Sequence, residues 1–198
     1  MRIEYTRDSL TVSDLDPDPI LQLAQWLDDA TSAGEIEPSA MCLATSLDGR
    51  PSCRMVLLRD LNRWGLVFYT NYLSRKGLEL EVNPHASVCF WWRGLERQVR
   101  VEGTVYRVDE EESDAYFASR PRESQVSSIV SPQSQVIANR EDLELAASQI
   151  TDTSRPEHWG GYRLKPDAFE FWQGRAARLH DRFRYSGGPA WVIERLAP

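Results

Sequence analysis

From residue 40 onward the chain is written in short apolar runs, 41–47, 53–59, 66–71, 87–93 and 98–108, each close to the next. Alternate positions within them are apolar, the period of two that sends side chains to opposite faces of a strand. Turn signals separate several runs, with Asp48-Gly49 and Asn62 to Gly65 as hairpin candidates. Three further runs follow at 161–172, 178–185 and 191–196. Spacing this close favours a mainly β chain folded as an antiparallel barrel or sandwich.

Helical signals flank these runs. Residues 19–33 place Ile20, Ala24, Leu27 and Ala30 at helical spacing, with Asp18 positioned to cap the start. A short helix over 74–82 ends at Asn83-Pro84, where proline disfavours its continuation. Asp109 and Glu112 resemble a capping box opening a helix that runs to about Ser119 and is stopped by Pro121. A further helix is expected over 141–150. No internal repeat or low-complexity segment is visible.

At 198 residues and 41% hydrophobic, the chain can bury one sizeable core. Residues 1–18 read as a tail and 19–198 as a single domain. No stretch approaches the roughly 20 apolar residues of a membrane helix. The first residues lack the apolar run, roughly 7 to 15 residues long, of a secretory signal, so a cytoplasmic protein without a membrane partner is expected. The net charge of −7 argues against a nucleic-acid partner. Cys42, Cys53 and Cys89 are odd in number and widely spaced among apolar neighbours, which suggests buried reduced thiols and neither disulfides nor a metal site.

The cations are unusual: of 23 basic residues only Lys76 and Lys165 are lysines. At the strand period Arg178, His180, Arg182 and Arg184 share a face, which either meets an anion or forms salt bridges in solvent. Arg120-Pro121-Arg122-Glu123-Ser124 follows the helix that carries Tyr116. Two guanidinium groups, a hydroxyl and a phenol could converge there on a phosphate, although cations opposing a helix C-terminus look the same. Ser74-Arg75-Lys76-Gly77 opens a short helix where free amides and two cations could take a second phosphate. Arg54 and Arg59 have opposite parity and would face opposite sides unless a bulge intervenes. Trp91, Trp92 and Trp172 read as core or interface residues. The residues alone lead to an antiparallel β protein with at least two candidate phosphate sites.

Read in order, the same segments resemble the pyridoxamine 5'-phosphate oxidase family across nearly the whole chain. The resemblance is carried by Arg54-Met55-Val56-Leu57-Leu58, Phe68-Tyr69-Thr70-Asn71, Ser74-Arg75-Lys76-Gly77 and Arg97-Gln98-Val99-Arg100-Val101-Glu102-Gly103. It continues through Tyr116-Phe117, Ser119-Arg120-Pro121, Gln133-Ser134, Trp159-Gly160-Gly161-Tyr162, Glu170-Phe171-Trp172-Gln173-Gly174, Arg178-Leu179-His180-Asp181-Arg182 and the ending Arg195-Leu196-Ala197-Pro198.

The resemblance implies a six-stranded FMN-binding split β-barrel working as a homodimer with shared active sites. It assigns the FMN phosphate to Arg75 and Lys76, with Arg54, Thr70, Gln133 and Ser134. Met55, Val56, Leu57, Leu58, Arg59, Tyr69, Gln98, Trp172 and Arg182 would line the rest of the flavin. The substrate's phosphate falls to Arg59, Tyr116, Arg120 and Ser124, and its ring side to Arg178, Leu179 and His180. Arg2 and Tyr5 resemble tail residues that close over bound substrate. The implied reaction oxidises pyridoxamine or pyridoxine 5'-phosphate to pyridoxal 5'-phosphate, with hydride passing from the 4' carbon to the flavin and on to O2, giving H2O2. Two alternatives accompany it: a related flavin oxidase acting on another ring substrate, as in phenazine biosynthesis, and a non-catalytic FMN or pyridoxal-phosphate binding module. The chain departs from the family pattern at Arg59 (usually lysine), at Ile3 (often arginine) and at Val126-Ser127-Ser128-Ile129 (typically Ile-Gly-Ala-Trp). The loop over 151–158 also looks short.

Overall fold

The computed structural model describes residues 4–188 and 190–198, so Arg2 and Ile3 lie outside the described residues. The elements in chain order are α1 (Pro19–Ser32), β1 (Ala40–Leu47), β2 (Arg50–Leu57), β3 (Asp60–Asn62), β4 (Gly65–Asn71), α2 (Arg75–Val82) and β5 (His85–Trp92). Then come β6 (Arg97–Arg107), α3 (Glu110–Ser119), α4 (Arg122–Val130), α5 (Glu141–Ser148), β7 (Trp159–Gln173), β8 (Asp181–Ser186) and β9 (Val192–Arg195). No helix is long and apolar enough to cross a membrane among the described residues.

All pairings are antiparallel, and the path β2-β1-β5-β6-β7-β4-β3 carries β8 and β9 as a branch from β7. That makes nine strands where six were expected, because β7 is long enough to serve two neighbours on one edge. Its first half, to Leu164, pairs with β4, and its second half, from Ala168, pairs with β8. Pro166 sits in the gap, where a residue without an N–H leaves no ladder bond unmade.

Inward positions alternate as the sequence requires. Val88 and Phe90, Val99 and Val101, Phe169 and Phe171, and Phe183 and Tyr185 are buried on successive strands. Each contributes roughly 1.5–3 kcal/mol through burial. Helix α1 covers this face: Asp18 accepts from the amide of Ile20, and Trp26 meets Phe171 edge-on at 5.1 Å.

Several local expectations are corrected. The run Arg120 to Ser124, for which no helix was expected, leads into helix α4, because proline ends α3 and then serves as the N-cap of the next helix. The capping box at α3 is half formed: Asp109 accepts from the Glu112 amide at 2.7 Å, but the Glu112 carboxylate pairs with Arg163 instead. Strand β8 begins at Asp181, so Arg178 and His180 do not share a strand face with Arg182 and Arg184. They lie in or beside a tight turn in which Ala177 and Arg178 take positive φ of 54° and 65°. Cys53 is exposed and the other two cysteines half-buried, all three as free thiols.

Candidate functional site

Helix α2 begins where the chain leaves β4, and the hydroxyl of its N-cap Ser74 faces back into the first turn. Close approach explains Gly77: a Cβ there would lie 2.1 Å from the carbonyl oxygen of Tyr72. This geometry turns the Lys76 side chain inward, where its ammonium donates to Thr70 Oγ1 at 3.0 Å, Ser74 Oγ at 3.0 Å and Gln133 Oε1 at 2.8 Å. All three acceptors are neutral, and among the described residues no carboxylate comes within ion-pair distance. Burial, with Arg54 nearby, pushes the ammonium down to about 8. A buried cation held by neutral acceptors is chemically suited to take an anion.

The neighbouring cations are handled differently. Glu79 is buried yet held down to about 2, because hydrogen bonds from Ser52, Thr45, Arg75 and Arg54 outweigh the opposing effect of burial. Arg54 Nη2 lies 3.2 Å and Arg75 Nε 2.8 Å from its oxygens. Glu79 therefore orients two guanidinium groups beside Lys76.

A second cluster lies on the aromatic side. Tyr69 stacks on Tyr116 at 3.8 Å, and Trp159 lies parallel to Tyr116 at 6.2 Å. Arg120 rests over the Trp159 ring at 4.6 Å and donates to Ser128 Oγ at 2.8 Å. Burial, then nearby Arg59, lowers its pKa. Arg59 reaches the same space as Arg54 despite opposite parity, since β2 ends at Leu57 and Leu58 turns into the core.

The two clusters line one cavity of about 710 Å³, a size that suits a cofactor. Its lining includes Arg54, Arg59, Arg75, Lys76 and Arg120 and no carboxylate. Of the residues singled out from sequence, the cavity gathers these five with Met55, Val56, Leu57, Tyr69, Thr70, Tyr116, Gln133 and Ser134. Leu58 and Ser124 do not line it. Ser127, Ser128, Ser131 and Trp159 do, although sequence reasoning gave them no site role. The departure from the family pattern at 126–129 was the available signal for the first two.

The remaining predicted residues form a separate group. Trp91, Gln98, Trp172 and Arg182 are successive cross-strand partners on β5, β6, β7 and β8. Tyr5 packs edge-on against Trp172 at 5.7 Å, and His180 lies 4.6 Å from Trp172. The Arg175 amide donates to His180 Nδ1 at 3.0 Å, so neutral His180 carries its proton on Nε2. Burial and Arg178 lower its pKa, which favours that neutral form. Arg182 and Arg184 take the salt-bridge alternative, pairing with Glu170 at 2.9 Å and Glu194 at 2.7 Å. None of Tyr5, Gln98, Trp172, Arg178, Leu179, His180 and Arg182 lines the cavity.

A sheet divided along β7 beside a cation-lined cleft belongs to the split-barrel class of β proteins. A pyridoxamine 5'-phosphate oxidase-related, FMN binding protein from Nostoc punctiforme has this fold, with a TM-score of 0.75 at 17% identity over 93% of this chain and all (100%) of that one. PhzG from Burkholderia lata, solved with tetrahydrophenazine-1-carboxylic acid, matches with a TM-score of 0.92 at 34% identity over 98% of this chain and 100% of that one. Residues 27–154 match the family described as pyridoxamine 5'-phosphate oxidase, and residues 159–198 the pyridoxine 5'-phosphate oxidase C-terminal dimerisation region. Pyridoxine/pyridoxamine 5'-phosphate oxidases of Paraburkholderia phymatum and Gloeothece citriformis are 52% and 51% identical, covering 100% of this chain and 97% of each relative. The chain belongs to the pyridoxamine 5'-phosphate oxidase family.

Proposed function

We propose that the protein oxidises pyridoxamine or pyridoxine 5'-phosphate to pyridoxal 5'-phosphate, using FMN and O2, as a homodimer whose active sites draw on both subunits. The observation that carries this is the cavity lined by five cations and no carboxylate in a chain of net charge −7. Its cations fall into two clusters, which suits two phosphate groups presented by two different molecules.

Lys76, Arg75 and Arg54, with Thr70, Gln133 and Ser134, hold the FMN phosphate, a group that suits a Lys76 ammonium bound only by neutral acceptors. Arg59, Tyr116 and Arg120 hold the substrate's phosphate, and the Tyr69–Tyr116–Trp159 stack shields that end from water. When bound, FMN supplies the two-electron acceptor for the substrate and the route to O2. Trp172, Arg178, Leu179, His180 and Arg182, with Gln98 as the cross-strand partner of Trp172, act on the cavity of the other subunit; the dimerisation region, which contains all but Gln98, supports this reading. Neutral His180 offers its Nε2–H to the substrate's ring side, and Arg178 presents its charge from the strained turn. The tail, through Tyr5 and Arg2, closes over the substrate. A holoenzyme assay that yields pyridoxal 5'-phosphate and H2O2 in equal amounts supports the reaction; bound flavin without turnover refutes it.

Two predictions follow from this division of roles. Arg178→Ala should lower kcat roughly 100-fold with flavin content unchanged, whereas Arg75→Ala should chiefly weaken FMN retention, by roughly tenfold. Flavin content and steady-state constants of both variants check this, and equal flavin loss in both contradicts it. The second prediction concerns pH. Bound phosphate favours the Lys76 ammonium, so its pKa of about 8 in the flavin-free protein rises on binding. Affinity should therefore be level from about pH 6.5 to 8 and fall above that, by up to about tenfold per pH unit. Fluorescence titration with FMN reads this directly; affinity that stays level to about pH 9.5 contradicts it.

A further inference from the structure

We propose that Ser128 is the positioning residue for Arg120, and so sets the grip on the substrate's phosphate. This rests on the phosphate site of the proposed function and adds to it a residue that the family pattern does not supply. Ser128 stands on the second turn of α4, one helical turn beyond Ser124. Its hydroxyl donates back to the Ser124 carbonyl at 3.0 Å. A serine hydroxyl has one proton, so that bond leaves only lone pairs to face Arg120. Arg120 Nη1 donates to them at 2.8 Å.

The rest of Arg120 is fixed by its contact with Trp159 at 4.6 Å, and no carboxylate among the described residues forms an ion pair with it. Its free N–H groups are left for an anion in the cavity. Arg59, across that space, adds a second cation. The Ser124 carbonyl accepts from both Ser127 and Ser128. An alanine at 128 would leave Arg120 stacked on Trp159 but free to turn about that contact, losing orientation without losing charge.

The test uses FMN-loaded enzyme. Ser128→Ala should raise KM for both phosphorylated substrates about tenfold with kcat within about twofold, while Ser128→Thr, whose hydroxyl can make the same back-bond, restores KM to within about twofold. Calorimetric titration of the holoenzyme with inorganic phosphate should show the same order of variants without turnover. Absence of turnover in the wild-type enzyme overturns the proposed reaction, and the phosphate titration then decides Ser128 separately. Phosphate affinity and KM unchanged in Ser128→Ala overturn the assignment of Ser128. A KM increase that Ser128→Thr fails to restore also overturns it, since that marks a general packing defect.

Discussion

Lys76→Met should weaken FMN binding by about 100-fold, roughly 2.7 kcal/mol, while the flavin-free protein becomes no less stable and gains up to about 2 kcal/mol. The opposite signs share one cause. The Lys76 ammonium is buried against Thr70, Ser74 and Gln133, three acceptors without charge, and burial has already lowered its pKa to about 8. The fold offsets the desolvation of that charge only with three neutral acceptors and the field of Glu79. Methionine fills similar space with none, at the loss of three hydrogen bonds whose acceptors can rearrange among themselves. A phosphate reverses the balance, because it gains a charge-assisted contact only with lysine. Thermal melts with and without FMN, beside a fluorescence titration, measure both effects. A variant that loses stability and retains affinity would show that Lys76 is a structural residue.

Gly103→Ala should destabilise the fold by about 3 kcal/mol, lowering Tm by roughly 6–12 °C, although the residue lies away from the cavity. The register between β6 and β7 slips between Glu102 and Gly103, directly opposite the gap in which β7 changes partner from β4 to β8. A Cβ at 103 would stand 2.1 Å from the carbonyl oxygen of Lys165 and 3.0 Å from Pro166 Cα. Both obstacles are backbone, so no rotamer change relieves them. The slip and the split occur together because Asp167 is an extra residue on β7, and the bulge bends β7 where it leaves one neighbour for the other. A melt of the variant within about 2 °C of wild type would mean that the two strands separate there at little cost.

Much of this was legible because local rules and tertiary demands agree. The period-two runs became strands with boundaries moved by a few residues, Asp18 caps α1, and the cations at 54, 75, 76 and 120 meet in one cavity. The failures have specific physical sources. Arg178 was placed on a strand because neither Ala177 nor Arg178 signals a left-handed turn as glycine would. Glu112 was expected to complete a capping box, but Arg163, 51 residues away, offers its carboxylate a charged partner. The parity argument separating Arg54 from Arg59 held only while the strand continued, and β2 stops at Leu57. Ser128 was passed over because its contact with Arg120 depends on the one-turn offset of α4, a helix that the run Arg120 to Ser124 does not announce. The Trp91, Gln98, Trp172 and Arg182 row was named in part from family resemblance, yet one chain cannot bring it to the cavity.

The central claim is that this cavity delivers the 4' carbon of a phosphorylated pyridine to FMN. Anaerobic mixing of the FMN-loaded protein with pyridoxine or pyridoxamine 5'-phosphate, following flavin absorbance and pyridoxal 5'-phosphate together, tests it without dependence on the later fate of the electrons. The account predicts full flavin reduction with one pyridoxal 5'-phosphate formed per flavin, and no reduction at matched concentration by the phosphate-free vitamers. Flavin that stays oxidised with both phosphorylated substrates, but is reduced by a dihydrophenazine carboxylate, would contradict it and identify a flavin oxidase for a different ring.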